Sequence, residues 1–257
     1  HVRLAGVSGL LLSVLDQSPV AEGSTGAAAL HNTLELAQLA DRLGYTRYWL
    51  AEHHNVRALA GSAPEVLIGH VAAATSGIRV GSGGVMLSHY SPLKVAESFR
   101  LLHALHPGRI DLGIGRAPGS DQLTAAALQP APTSVSIEQF PDQVADLLGY
   151  LHDRLPPGHP FAGIRATPES PGAPELWLLG SGGSSAVYAS YFGLPFAYAH
   201  FINPQGGEQQ AALYRERFQP SPEQPAPRVA IAAAAICAET DEEAERIAQS
   251  VRLWRLR

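Results

Sequence analysis

Short apolar runs alternate with helical stretches along almost the whole chain, and this alternation restricts the fold more than any other feature of the sequence. Runs at residues 12–15, 48–51, 78–87, 110–114, 176–179, 196–199 and 229–236 read as strands. The first helix is expected over residues 30–43, with Leu30, Leu34 and Ala37 marking its faces and Gly44 ending it. Ser62 and Glu65 have capping-box spacing ahead of a second helix that reaches about residue 74. Pro92 suits the first turn of a third, whose core stripe holds Val95, Phe99 and Leu102. Further helical patterns lie over residues 143–151 and 209–218 and after Gly183, and Thr240 with Glu243 caps a last one. Strands that each feed a helix imply a parallel sheet, and runs that are apolar throughout imply burial on both faces. A doubly wound sheet shares the pattern, but the number of units favours an α/β fold of the TIM-type (β/α)8 barrel class.

Such a barrel takes about 250 residues. The 257 residues here suffice for one domain over 1–257, with 1–11 as a short leader before the first strand. Seven strands are found, so an eighth strand and helix are missing from the count. A formal charge of −5 and no basic patch argue against nucleic acid. No apolar run approaches the ~18 residues of a membrane span, which points to a cytoplasmic protein. Cys237 is the only cysteine, which excludes an intramolecular disulfide and a Cys-rich metal centre, and it reads as a buried strand residue. No HExxH spacing is present, so no metal is expected.

Chemistry in a barrel gathers in the loops after the strands. After the second strand comes Glu52-His53-His54-Asn55, where a histidine can serve as general base or hydrogen bond to a reactive oxygen. With eleven histidines in the chain, a plain packing or loop histidine is the competing reading. In the third strand Gly83 and Gly84 remove side chains, either to shape the barrel by a bulge or to let a flat group near the backbone. Arg116, after the fourth strand, suits bidentate phosphate contact or pairing with Asp121. After the fifth strand, Gly180, Ser181, Gly182, Gly183, Ser184 and Ser185 lead into a helix. Their amides, small hydroxyls and the helix start make a phosphate cradle. It is not a Walker A loop, because no Gly-Lys-Ser/Thr follows. Trp49 and Trp177 read as packing residues within strands.

Four segments, in order, resemble the bacterial luciferase-like family of flavin-dependent monooxygenases. These are Trp49 to Asn55 (WLAEHHN), Gly81 to Glu97 (GSGGVMLSHYSPLKVAE), Pro107 to Arg116 (PGRIDLGIGR) and residues 180–185. The resemblance covers most of residues 12–257 and implies a luciferase-like barrel binding reduced FMN delivered by a separate flavin reductase. It makes His53 the histidine near the flavin reaction centre. It lays Gly83, Gly84 and Val85 along the ring, where the family often has a non-proline cis peptide. It gives the phosphate to Arg116 and residues 180–185. It further implies oxygen addition at flavin C4a, giving a peroxide that oxygenates a small organic substrate, with homodimers as the usual assembly. A composition rich in Ala, Gly, Pro and Arg permits a natural-product intermediate as that substrate. Two alternatives share the barrel: an F420-dependent hydride-transfer enzyme and a non-enzymatic flavin-binding relative. A small phosphate loop with the single Arg116 suits FMN better than the long acidic tail of F420.

Overall fold

Inside the barrel, size is complementary: glycines in two strands face indoles from the strands beside them. The computed structural model describes residues 9–116, 121–129 and 137–255. Seven parallel strands pair in sequence order: β1 (Ser13–Asp16), β2 (Arg47–Leu50), β3 (Arg79–Met86), β4 (Ile110–Gly115), β5 (Glu175–Gly180), β6 (Phe196–Ala199) and β7 (Val229–Ala232). They curl into a nearly closed TIM-type barrel, one strand and one helix short of eight, with β1 and β7 as its edges. Helices α1 (Gly26–Arg42), α2 (Pro64–Ala74) and α3 (Pro92–Leu105) follow the first three strands. Both α4 (Gln122–Leu128) and α5 (Phe140–Leu151) follow β4, and α6 (Gly183–Tyr191), α7 (Gly207–Arg217) and α8 (Asp241–Arg255) complete the set. No helix among the described residues is long and apolar enough to cross a membrane.

The central strands β2 to β6 are largely buried because both faces are covered, whereas the edge strands are not, and Ile231 of β7 is 63% exposed. Outward residues such as Tyr48, Leu50, Leu112, Leu178 and Phe196 share the main core with Ile68, Phe99, Val144 and Leu147 of the helices. Inward residues Trp49, Trp177 and Ala197 form a second cluster with Leu15, Leu179 and Ala230. The two indoles meet edge to face at 5.2 Å. They fit because β3 and β4 contribute Gly81, Gly83 and Gly113 in the neighbouring pairs. The expectation of Trp49 and Trp177 as packing residues holds.

Four local expectations change. Ser62 and Glu65 form no capping box: the N-cap is Ala63 and makes no side-chain bond, because Pro64 takes the first helical position and shifts the start. Residues 117–140, to which the sequence pattern assigns no element, contain α4, which Asp121 starts by accepting from the Thr124 amide at 2.9 Å. Residues 117–120 and 130–136 lie outside the described residues. Strand β7 stops at Ala232 rather than residue 236, and Cys237 is exposed rather than buried. As an edge strand, β7 has a ladder partner on one side only, β6. Thr240 does cap α8, accepting from the Glu243 amide at 3.2 Å.

A charge cluster closes the foot of the barrel. Asp111, fully buried in β4, accepts from Trp49 Nε1 at 2.9 Å and Arg79 Nε at 2.8 Å, and Arg47 Nε lies 3.0 Å from its other side. Burial pushes the Asp111 carboxyl above the usual carboxylate range, against the pull of Arg79 and Arg47. Glu175 completes the cluster with Arg47 and Arg228, and both guanidiniums stack over the Trp177 ring. Removing one member of a buried ion cluster strands the others without their counter-charge. Asp111→Ala is expected to lower the unfolding free energy by about 3–5 kcal/mol in urea titration. A loss under ~1 kcal/mol would mean that the cluster is no better than a surface ion pair.

Candidate active site

The C-terminal ends of β2, β3, β4 and β5 stand side by side, and every site residue expected from the sequence lies on this arc. Leu50 pairs with Ser82, Gly83 with Gly113, and Ile114 with Leu178. Arg116 lies two residues beyond Ile114 and Gly180 two beyond Leu178, so register brings Arg116 to the start of the Gly/Ser loop. His53 follows β2 by three residues on the far side of β3.

The Gly83–Gly84 peptide is cis, and the ladder shifts register between Gly83 and Val85. A side chain at Gly83 would come within 2.5 Å of Leu15 Cδ1, and one at Gly84 within 2.8 Å of the Gly113 carbonyl oxygen. Backbone packing therefore requires glycine at position 84, whereas a side chain at 83 would have to displace the end of Leu15. Of the two sequence readings, the bulge that shapes the wall has direct support. Val85 beside them is buried. At Gly115, by contrast, a side chain would meet nothing within 4 Å, so the wall opens next to Arg116.

His53 is half-buried and its amide donates to the Gly61 carbonyl at 2.9 Å. Among the described residues its buried Nδ1 has no hydrogen-bond partner. Burial pushes the imidazole below its ordinary value of 6.5, opposed by Glu52 and assisted by His54. The ring is thus neutral at neutral pH with one nitrogen uncommitted. Its neighbour Glu52 is the residue that sequence reasoning passed over. The Glu52 carboxylate accepts from the Met86 amide at 3.0 Å and the Tyr90 hydroxyl at 2.6 Å, and lies 2.8 Å from His54 Nε2. An acid directly after a strand, between apolar residues and two histidines, was the available signal. Its partners, 34 and 38 residues onward, were not readable locally.

The Gly/Ser segment splits between strand, turn and helix. Gly180 ends β5, and Gly182 is the N-cap of α6 with no side-chain cap, which leaves the amides of Gly183, Ser184 and Ser185 without an intrahelical acceptor. Ser184 is exposed, while Ser185 is buried with its hydroxyl against Gly180, where a Cβ would lie 2.0 Å away. Ser181 is partly exposed, and its carbonyl accepts from Asn203 after β6 at 3.0 Å. Asp121, the other partner considered for Arg116, caps α4 and accepts from Asn55 at 3.1 Å. A cavity of about 450 Å³ adjoins the rim between the segment after β3 and α5, lined by His89, Tyr90, Ser91, Leu128 and Gln143 among others. Among the described residues no three His, Cys, Asp or Glu side chains are grouped to hold a metal ion.

Comparison with known proteins gives this geometry a family. Residues 10–256 match the family described as luciferase-like monooxygenase. The N-acetyl-S-alkylcysteine monooxygenase of Bacillus subtilis (strain 168) is 46% identical over 236 residues, covering 91% of this chain and 70% of that protein. The crystal structure of apo-MsnO8 superposes with a TM-score of 0.87 at 50% identity, over 95% of this chain and 71% of that one. The oxygenating constituent of 3,6-diketocamphane monooxygenase from Pseudomonas putida, solved with FMN, shares the fold at a TM-score of 0.71. It is 19% identical, over 94% of this chain and 71% of that one. Seven strands with a helix after each, and a match over nearly the full length, place the chain in the luciferase-like monooxygenase family.

Proposed function

We propose that the chain is a flavin-dependent monooxygenase that uses reduced FMN and O2 to oxygenate a small organic molecule. The observation that carries this reading is a single rim bearing an uncapped helix start beside Arg116 at one end and, at the other, a neutral imidazole whose Nδ1 has no partner among the described residues. A helix N-terminus with free amides favours a phosphate, and a guanidinium adds bidentate contact. β5 and β2 stand three strand spacings apart, up to roughly 14 Å along the rim. That is room for an extended cofactor with a phosphate at one end and a ring at the other. FMN fits this donor set, because it carries one phosphate. Relatives support the choice: one fold neighbour was solved with FMN, and one close relative is named as a monooxygenase.

In this reading Arg116 and the backbone of Gly180, Ser181, Gly182, Gly183, Ser184 and Ser185 hold the phosphate. Gly83, Gly84 and Val85 form the wall beside the ring. Reduced FMN, once bound, supplies the two electrons that activation of O2 requires. His53 takes up or returns a proton at Nδ1, and the barrel mouth keeps bulk water from the reacting atoms. A separate flavin reductase delivers the reduced cofactor. The chain acts as a single barrel unit, and exposed Leu101 and Leu105, one turn apart at the end of α3, provide an apolar strip for a homodimer.

Anaerobic titration with reduced FMN and reduced F420 tests the cofactor. FMN is expected to bind the more tightly, and Arg116→Ala is expected to raise its Kd about tenfold, the worth of one charge-assisted contact. Tighter binding of F420 would move the protein to hydride transfer. An unchanged Kd in Arg116→Ala would remove Arg116 from the phosphate site.

His53→Ala is expected to cut oxygenation by roughly 10²–10⁴-fold while leaving flavin affinity near its starting value. The sign of its pH dependence follows from burial. The folded imidazole titrates below 6.5, so the neutral ring persists at pH values where an exposed histidine is already charged. Below the unfolded value the unfolded chain binds the extra proton first, so His53 costs stability as pH falls toward its folded midpoint. NMR titration of the ring should place that midpoint below 6.5. A midpoint at or above it would contradict the buried, neutral assignment.

A further inference from the structure

We propose that Glu52 is a positioning residue that aims His53, clamping the end of β2 to the segment after β3. Its bearing on turnover rests on the oxygenase reading above; its structural part does not. The Glu52 side chain is 1% exposed, and no lysine or arginine bonds to it among the described residues. A buried carboxylate without a full counter-charge persists only where several donors converge on it. Here they come from two separate stretches of chain. Oε2 takes the Met86 amide at the end of β3, and Oε1 takes the Tyr90 hydroxyl and faces His54 Nε2.

The clamp sets direction because of where it sits. Ala51 still donates to the Asp16 carbonyl across to β1, so the chain leaves β2 extended. In an extended chain successive side chains point to opposite sides. With the Glu52 carboxylate tied toward β3, the His53 ring is turned the other way, and its amide is tethered separately to Gly61. Neither tether touches the ring itself, whose Nδ1 stays uncommitted. The charged groups that act on this ring are Glu52 and His54 on its own segment; Asp121 on the β4 side reaches that segment only through Asn55. Tyr90 after β3 and Glu65 of α2 join through the Glu52 contact.

Two substitutions separate a clamp from a mere charge, read by NMR titration of His53 in the full chain. Glu52→Gln keeps the side-chain length and can still accept hydrogen bonds, but loses the charge that favours a protonated ring. Its His53 midpoint is expected to fall. Glu52→Ala removes the tether as well and lets the ring reach water. Burial is the larger influence on His53, so its midpoint is expected to rise toward 6.5. A Glu52→Ala midpoint at or below that of the unaltered protein overturns the clamp. Should Glu52→Ala fail to fold, Tyr90→Phe removes one donor and keeps the carboxylate. It is expected to give a smaller rise, and no rise overturns the proposal. In turnover, Glu52→Ala should lose on the order of tenfold or more in kcat with flavin Kd within about threefold, and should add nothing to His53→Ala. Full additivity with His53→Ala would overturn action through that ring. If the unaltered protein oxygenates nothing with reduced FMN, the oxygenase reading falls, and the midpoints still decide the clamp.

Discussion

The interior of this barrel rests on an exchange of volume between glycines and two indoles. β3 and β4 approach so closely that a side chain at Gly81 would sit 2.4 Å from the Asp111 carbonyl oxygen, and one at Gly113 2.2 Å from that of Ser82. The space these glycines leave is filled by Trp49 and Trp177 from the flanking strands. An indole brought inside a dry barrel carries an N–H that must find an acceptor. Asp111 serves Trp49 and Glu175 serves Trp177. Buried carboxylates in turn require cations, which Arg47, Arg79 and Arg228 provide. Glycine, indole, carboxylate and guanidinium are therefore linked, each creating the need that the next one meets.

This chain of requirements closes one end of the barrel and leaves the other free. The arginines and acids stand at the starts of β2, β3, β4 and β5, so the foot is sealed by charge pairs that reach between strands. Above the indoles the strands run out into loops, where the glycine at position 115 meets open space rather than a neighbour. A rigid floor with a permissive rim lets loop residues vary in chemistry without disturbing the barrel. The rim is also where distant parts of the chain tie to one another: Glu52 to Tyr90, Asn55 to Asp121, and Asn203 to Ser181.

What could be read from the sequence follows this division. Strand positions and the parallel barrel were legible, because burial on both faces writes a continuous apolar run into the central strands. The Gly/Ser segment before α6 was legible too, since a strand, a glycine turn and a helix start are local in sequence. The start of α2 was misplaced because Pro64 outcompetes Ser62 for the role of opening the helix. The α4 helix was missed because seven residues give too little periodicity, although Asp121 was a fair N-cap signal. At Gly83 and Gly84 a bulge was legible as one of two readings, but the atoms behind it were not. The atoms that exclude a side chain belong to Leu15 and Gly113, which are remote in sequence. Glu52 shows the same limit, since two of the three groups on its carboxylate, the Met86 amide and the Tyr90 hydroxyl, lie more than thirty positions away.

Buried nitrogens without a hydrogen-bond partner occur at both ends among the described residues, on Arg47 and Arg228 at the foot and on His53 at the mouth, but only the guanidiniums sit beside a counter-charge. At the foot, Asp111 and Glu175 are each held by several donors, and both indole N–H groups are met. At the mouth, His53 keeps a buried nitrogen without a partner, and the first turn of α6 keeps amides that no side chain caps. A buried polar group left unmet costs about 1–3 kcal/mol. Carrying unmet groups on one rim, with Arg116 between them, is what a barrel does when a ligand completes the set. Packing and charge pairs account for the floor, whereas the rim carries the groups to which the proposed function assigns a ligand.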